Sequence, residues 1–456
     1  MPSLRPPLLR AVLVASALAL GAPAFLRAQT ELPKKEISEK TSGSLAELRA
    51  LTEAKDYAKS LALIEQLLSA APAGSYDVYV LSQVKAQILM TQDKLAEAIA
   101  PLETALALAD GNPAFLDPAA RLEQLNLLAQ LHYQKAAGEK APAAQHAGYQ
   151  RTLAYLERWF ALSPKPSVQT RLFAASVHYT LATLGPGEPD QAALRTALGH
   201  CEEALLLAPR PTSQLRLLLV ACQLQLGRHA DAADQLELLA EQDPKAASTW
   251  SQLLALYLNL AAENKHPAES KAFNLRALHV LDRAQALGLL ASPKDNYTRV
   301  AILFNLGQFS LAAGRMEKEL ASGALESTPR NWELLASAYQ QSDQEEKALD
   351  AYARAVDRFP ALADLEFSLA QSLYAAGKVE DAYARARSAS AKPGLGKPGQ
   401  TRLYLAFLAY ELQRIEEAQT WIDQARASGE VPAASLDPLA RAIADALKAR
   451  LVAKPS

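Results

Sequence analysis

One stretch of the chain, from Asn331 to Pro360, constrains the fold more than any other part of the sequence. Its apolar residues recur with the spacing that brings side chains onto one face of an α-helix. A first stripe consists of Trp332, Leu335, Ala336 and Tyr339, and a second of Ala348, Tyr352 and Ala355. A polar segment separates the stripes, and Phe359-Pro360 ends the second because proline disfavours helix in the residue before it. The stretch therefore predicts two short helices joined by a turn.

The same spacing recurs along the chain, which matters because one helix pair of this length cannot bury its own apolar face. A shift of 34 residues from Leu335 reaches Leu369, and a further shift of 36 reaches Leu405. Upstream, Trp250 begins a stripe like that of Trp332, and another unit begins 34 residues earlier at Arg216. We predict phased repeats near residues 213–246, 247–289, 329–362, 363–396 and 399–430.

The repeated unit resembles the tetratricopeptide repeat (TPR). The resemblance rests on Trp332, Leu335-Ala336, Tyr339, Ala348, Tyr352 and Pro360, with alanine and tyrosine where the family more often has glycine and phenylalanine. It implies an all-α solenoid of about ten helix-turn-helix hairpins over residues 44–451, each hairpin packing only on its neighbours. It also implies that proteins or peptides dock on an inner stripe formed by the first helices.

Composition and the C-terminal stretch agree with an all-α solenoid. Half of the residues are apolar and only 6% are aromatic, and strong helix formers such as Ala, Leu, Glu, Gln and Lys are abundant. Leu439, Ile443 and Leu447 predict a last helix at 435–451, starting at Asp437-Pro438. A solenoid needs such a cap to cover its final apolar face. Residues 452–456 are then a tail.

The N-terminus, residues 1–28, has the features of a signal peptide. Arg5 and Arg10 precede a short apolar run, and small residues follow where a signal peptidase cleaves. The sequence leaves open whether cleavage falls after Ala24 or after Ala28. The alternative of an uncleaved anchor requires a longer, unbroken apolar run. We therefore expect an exported, bacterial-type protein that is periplasmic or secreted, with no integral membrane segment after cleavage.

The next segment, residues 29–43, is charged and has no apolar periodicity, which predicts a flexible linker. The only two cysteines, Cys201 and Cys222, lie on adjacent predicted helices. Whether they form a disulfide or are buried as thiols stays open, because helix contact alone does not guarantee bridging geometry. The formal net charge of −2 and the scattered lysines and arginines argue against a nucleic-acid partner.

A search for reactive residues predicts no catalytic, cofactor-binding or metal-binding site. The seven histidines are dispersed, and none forms the spaced pair of a helical zinc site. No nucleophile elbow or phosphate-binding glycine loop is present. Adjacent carboxylates such as Glu345-Glu346 point about a quarter-turn apart on a helix, so they predict solvated faces or helix starts rather than an acid-base pair.

The inner stripe of the first helices supplies the candidate partner-binding groove. Aromatic rings beside amides suit peptide recognition, because rings bury area at low entropy cost and amides pair with the main chain. The competing interpretation is that the apolar members only pack against the adjacent repeat. Acidic and basic residues are mixed, so the stripe does not define the charge of a ligand. The predicted groove residues are Arg330, Glu333, Gln340, Phe367, Gln371, Tyr374, Phe407 and Tyr410.

Two functions from different classes follow. The first is an exported, non-catalytic TPR scaffold that binds a protein or peptide partner, as an adaptor or as an assembly factor of the cell envelope. The second is a carbohydrate-active enzyme whose helical hairpins close into an (α/α) toroid. That enzyme needs carboxylates and sugar-stacking aromatics gathered at one end of the ring. The sequence pattern predicts neither the oligomeric state nor the identity of the partner.

Overall fold

The computed structural model describes residues 35–452 of the chain. The predicted signal peptide, residues 29–34 of the predicted linker and the last four residues lie outside this range. The described residues form 21 α-helices and no strand, which confirms the predicted all-α fold. Twenty of these helices follow one another as ten hairpins, and a single helix comes last.

Contacts divide the chain into two compact units, with the boundary between His200 and Cys201. The first unit contains the hairpins α1–α2, α3–α4 and α5–α6, then α7 and most of α8. The helices are α1 (Glu39–Glu53), α2 (Tyr57–Ala70), α3 (Tyr76–Thr91), α4 (Leu95–Gly111), α5 (Pro118–Gly138), α6 (Pro142–Leu162), α7 (Val168–Ala182) and α8 (Gln191–Leu207).

The second unit begins in the last turns of α8 and contains six hairpins and the final helix. The five phased repeats each hold one of these hairpins. The helices are α9 (Ser213–Gln225), α10 (His229–Gln242), α11 (Ala247–Glu263), α12 (Pro267–Ala286), α13 (Pro293–Asn305), α14 (Phe309–Ser322), α15 (Pro329–Gln341), α16 (Glu345–Arg358), α17 (Ala363–Ala375), α18 (Val379–Ala391), α19 (Pro398–Glu411), α20 (Ile415–Ala427) and α21 (Ala433–Val452).

Seven of the ten hairpins use the same turn. The second residue after the first helix has a positive φ, between 57° and 74°. The next N–H then donates to the carbonyl five residues earlier, as from Gln344 to Tyr339 at 2.9 Å. This bond satisfies a helix-end carbonyl and reverses the chain in few residues. The left-handed residues are Lys55, Asp93, Gly227, Gly307, Asp343, Gly377 and Gln413.

The first helices of several hairpins begin at side-chain caps that the sequence encodes locally. The Oγ1 of Thr328 accepts the N–H of Asn331 at 3.2 Å, and Pro329 occupies the first helical position. Ser292 and Asp295 cap α13 reciprocally, each side chain accepting the backbone N–H of the other. Such caps satisfy N–H groups that have no partner inside the helix. They set where each repeat starts.

Two expectations about element boundaries are wrong. Helix α1 begins at Glu39, inside the predicted linker, because Asp77 of α3 accepts the N–H of Ser38 at 2.9 Å and orders the helix start. Helix α21 begins at Ala433, before Asp437-Pro438, because burial of Leu436 adds a turn.

Each unit is held together by apolar clusters that neighbouring hairpins share. In the second unit one cluster joins α13 to α17 and contains Val300, Trp332, Leu335 and Leu369. Another surrounds Trp250, which is 1% exposed. Because each cluster draws on adjacent hairpins, no hairpin buries its apolar face alone.

Polar links accompany this packing between hairpins. Tyr339 of α15 donates its hydroxyl to Glu317 of α14 at 2.5 Å. Arg354 of α16 donates to the same carboxylate at 3.0 Å and lies 5.3 Å from the ring of Trp332. Hydrogen bonds from Tyr339 and then Arg354 lower the pKa of Glu317. Burial, and then the carboxylate, raise the pKa of Tyr339 to about 12.

We expect Tyr339→Phe to alter the pH dependence of stability. The raised pKa of Tyr339 contributes stability below its unfolded value of about 10, and this contribution is lost as pH rises towards about 12. The lowered pKa of Glu317 contributes stability above about pH 4, lost as pH falls through the folded value. Urea midpoints of Tyr339→Phe should therefore fall less steeply than wild type at both extremes.

The matched control for this measurement is Tyr410→Phe, because no hydrogen bond to the Tyr410 hydroxyl occurs within residues 35–452. Its pH profile should follow that of the wild type. Equal profiles for all three proteins would show that the contact between Tyr339 and Glu317 does not stabilise the array.

The two cysteines are free thiols and both are buried, which matches the second of the two alternatives for them. A hydrogen bond with Cys222, together with burial, raises the pKa of the Cys201 thiol. None of the described helices is both long enough and apolar enough to cross a bilayer.

Candidate functional site

The predicted groove residues lie on the first helices of three consecutive hairpins in the second unit, α15, α17 and α19. Glu333, Phe367 and Leu403 stand at equivalent positions of these helices, 34 and then 36 residues apart. Each is half-buried, so none of the three is enclosed in the core. The stripe predicted from spacing is therefore accessible along its length.

Four aromatic rings of α17 and α19 pack edge to face. Phe367 and Tyr404 have ring centroids 5.5 Å apart at 87°, and Tyr374 and Phe407 are 5.3 Å apart at 76°. Tyr374 also contacts Tyr404 at 6.1 Å. This arrangement is the favourable one for aromatic pairs, because a ring edge meets the electron-rich face of its neighbour. The rings pack between repeats, as the competing interpretation predicted, and they remain half-exposed; their role in partner binding stays a prediction.

Beside the rings lies an open pocket of about 510 Å³ between α17, α19 and the start of α21. Its apolar wall continues from the rings onto Leu403, Val431, Pro432 and Leu439. Its polar groups are those of Gln371, Gln400, Tyr404 and Ser435. A concave, mostly apolar surface with a few polar groups is the usual form of a ligand site. Helix α21, the predicted cap, contributes Ser435 and Leu439 to the pocket. It therefore lines the pocket in addition to packing on the last hairpin.

The amide groups of Gln371 and Gln400 are exposed, and within residues 35–452 neither makes a hydrogen bond to protein. Both are free to pair with the main chain of a ligand. Tyr404 was missed by the sequence prediction, although it stands one helical turn before Phe407. Burial, and then Tyr374, raise the pKa of Tyr404 to about 12, so its hydroxyl stays a donor at neutral pH.

The remaining predicted residues lie outside the pocket. Gln340 donates to the hydroxyl of Ser372 at 2.9 Å and so joins α15 to α17. Tyr410 packs against the core cluster of the last hairpins. Arg330 lies 6.0 Å from the ring centroid of Tyr297 on α13. The structure thus brings Phe367, Gln371, Tyr374 and Phe407 together with Tyr404, and leaves Arg330, Gln340 and Tyr410 apart from them.

Two carboxylates of α15 and α17, Glu333 and Asp364, lie near each other, and Asp364 stands one helical turn before Phe367 of the pocket. Asp364, in the first turn of α17, accepts the N–H of Gly396 at 3.0 Å. Burial, and then the negative charge of Asp364, raise the pKa of Glu333. Among the residues that the structure describes, no group of three or more histidines, cysteines or carboxylates is arranged to hold a metal ion.

Consecutive helix pairs with a shared turn, clusters shared between neighbours and a final covering helix define a repeat solenoid. The chain has the tetratricopeptide-repeat fold, in agreement with the resemblance found in the sequence.

Comparison with known proteins finds solved structures with a similar fold and no other kind of match. No protein-family model and no curated protein matches the sequence. Among solved structures, the chain is similar to TTC0263, a thermophilic TPR protein of Thermus thermophilus, with 24% identity over 46% of this chain and 100% of that one, at a TM-score of 0.25.

Two further structures show the same likeness. A tetratricopeptide repeat protein from Parabacteroides merdae is 14% identical over 60% of this chain and 99% of its own, at a TM-score of 0.28. YrrB, described as a TPR protein with an unusual peptide-binding site, is 16% identical over 42% of this chain and 91% of its own, at a TM-score of 0.30. At these scores the fold assignment rests on the helix pairs themselves.

Proposed function

We propose that the chain is an exported, non-catalytic scaffold that binds a protein or peptide partner in the groove of α15, α17 and α19. The observation that carries this proposal is the aromatic pocket, whose rings are half-exposed and whose two amides are unpaired within the described residues. Rings beside amides match an extended chain, because apolar side chains enter the pocket while amides bind main-chain groups. As an exported scaffold, it would serve as an adaptor or assembly factor of the cell envelope.

The carbohydrate-active alternative gains no support from this pocket. Glycoside hydrolysis uses a pair of carboxylic acids flanking the bond that breaks. The pocket lining contains no aspartate or glutamate among the described residues.

Export is tested by fractionating cells that express the full sequence. We expect the protein outside the cytoplasm, and we expect N-terminal sequencing to find a mature chain that starts after Ala24 or after Ala28. Recovery of the uncleaved chain from the cytoplasm would overturn this part of the proposal.

Partner binding is tested by substituting a ring of the pocket. Phe407→Ala removes an edge-to-face partner of Tyr374 and part of the pocket wall. Because aromatic residues contribute strongly to binding interfaces, we expect about a tenfold or greater loss of affinity. The measurement is capture from an extracytoplasmic extract by immobilised protein, followed by the affinity of the purified captured partner.

The matched control is Phe273→Ala, because Phe273 is also half-buried and packs against Tyr257 of the same unit at 6.3 Å, outside the pocket. It should retain the partner even if its melting temperature falls. Equal capture by wild type, Phe407→Ala and Phe273→Ala would show that the pocket does not bind the partner.

A further inference from the structure

The charges beside the aromatic pocket distinguish one class of partner from others. In the sequence, Arg330 and Glu333 present opposite signs on the same helix. In the structure, the guanidinium of Arg330 lies over the ring of Tyr297, with 6.0 Å between Cζ and the ring centroid. A cation over an aromatic face is attracted to that ring. The positive charge is thus engaged towards α13, on the side of α15 away from the pocket.

Glu333 is left with an unsatisfied negative charge. Its carboxylate is half-buried and makes no hydrogen bond or ion pair within residues 35–452. A half-buried carboxylate without a partner is costly to keep ionised, and a neighbouring negative charge adds to this cost. Asp364 supplies that neighbouring charge. A cation from a ligand would relieve both effects.

The basic residues around α17 do not neutralise this pair. Lys392 and Arg385 both pair with Glu366, which is 3% exposed on another face of α17. Lys397 is exposed and makes no ion pair with Asp364 in the described part of the chain. The region next to the pocket therefore carries two carboxylates and, among the described residues, no cation of its own paired with them.

The pocket itself is uncharged. Its lining consists of aromatic and aliphatic side chains together with amides and hydroxyls. A charged ligand group placed there would lose its hydration without gaining a counter-ion. Apolar side chains of a ligand suit the pocket, while a positive side chain suits the adjoining carboxylates.

We propose that the groove formed by α15, α17, α19 and the start of α21 recognises an extended, basic and apolar peptide segment. Its apolar side chains lie in the pocket of Phe367, Tyr404 and Phe407, and a lysine or arginine faces Glu333 and Asp364. This inference rests on the proposed function and specifies the chemistry of its ligand.

The test measures the affinity of purified full-length protein for three short synthetic peptides by isothermal titration calorimetry. All are acetylated and amidated and share a core of leucine, proline and phenylalanine. They differ only in flanking residues, which are lysines, glutamines or glutamates. We expect the lysine peptide to bind best and the glutamate peptide worst, with roughly a tenfold difference at low salt that shrinks as salt is added.

Substitutions then assign the preference to the carboxylates. Glu333→Gln keeps the shape of the side chain and should reduce the ratio of lysine-peptide to glutamate-peptide affinity by roughly threefold or more. Asp357→Asn is the control, because Asp357 is an exposed carboxylate of α16 that forms no ion pair among the described residues. It should leave the ratio unchanged. Phe407→Ala should weaken the binding of all three peptides alike.

Each other outcome overturns the inference. Equal affinities, a preference for glutamate, or a lysine preference that survives Glu333→Gln would show that these carboxylates do not select the ligand, while the pocket could still bind partners. Absence of binding by all three peptides would also overturn it. The proposed function is judged separately, by whether Phe407→Ala loses the captured partner.

Discussion

Trp250→Ala should lower the free energy of unfolding by about 3–5 kcal/mol, the largest effect we expect from a single substitution. Trp250 is 1% exposed at the centre of the cluster that joins α10, α11 and α12. Its indole N–H donates to the carbonyl of Pro244 at 2.9 Å, and Arg283 lies 5.0 Å from the ring. Truncation leaves a cavity and also removes the side-chain donor to that carbonyl.

Because hairpins in an array contact mainly their neighbours, the loss should be local. Hydrogen exchange should quicken in α10, α11 and α12 before it quickens in α17 and α18. Trp421→Ala is the control, since Trp421 is only half-buried and donates to the hydroxyl of Tyr383 at 3.0 Å. A loss for Trp250→Ala no larger than that for Trp421→Ala would contradict the packing role.

Gly148→Ala should destabilise the first unit by about 1–2 kcal/mol although alanine is the better helix former. A Cβ at Gly148 of α6 would lie 2.6 Å from the Cβ of Ala136 on α5 and 3.2 Å from its Cα. Ala136 is 1% exposed and has no flexible side chain that could move aside. The two helices must therefore separate, which weakens their packing more than the added helix propensity strengthens the fold.

Gly199→Ala is the matched substitution with the opposite expected sign. Gly199 is also inside a helix, but a Cβ there meets nothing within 4 Å. Alanine should then stabilise by about 0.5–1 kcal/mol through helix propensity alone. The measurement is the guanidinium midpoint of each variant, and a stabilising shift for Gly148→Ala as well as for Gly199→Ala would show that α5 and α6 are not in close contact at Gly148.

The helices of this chain could be predicted because their signals are local. The stripe of Trp332, Leu335 and Tyr339 and the turn at Asp343 fall within a few residues of one another. The missed boundaries depended on distant contacts instead. The start of α1 rests on Asp77, which is 39 residues from Ser38, and the start of α21 rests on burial of Leu436 against other hairpins.

The positions of the candidate groove residues could be predicted in part for the same reason. Helical spacing placed Phe367 and Phe407 on one stripe, since Phe407 stands one helical turn after Leu403, the equivalent of Phe367 in the next repeat. It did not find Tyr404, whose role arises from packing against rings of the previous hairpin. Spacing also did not show which charge of the stripe faces a ligand, because the contact between Arg330 and the ring of Tyr297 is visible only in the structure.

By itself the sequence determined the all-α fold, the repeated hairpin and the choice of turn, since these depend on a 3.6-residue period and on turn chemistry between near neighbours. Only the tertiary structure decided which rings meet, that α21 supplies a wall of the pocket and that Glu333 stays without a cation among the described residues. Those features depend on residues from different hairpins, and their distances are set by how the helices pack.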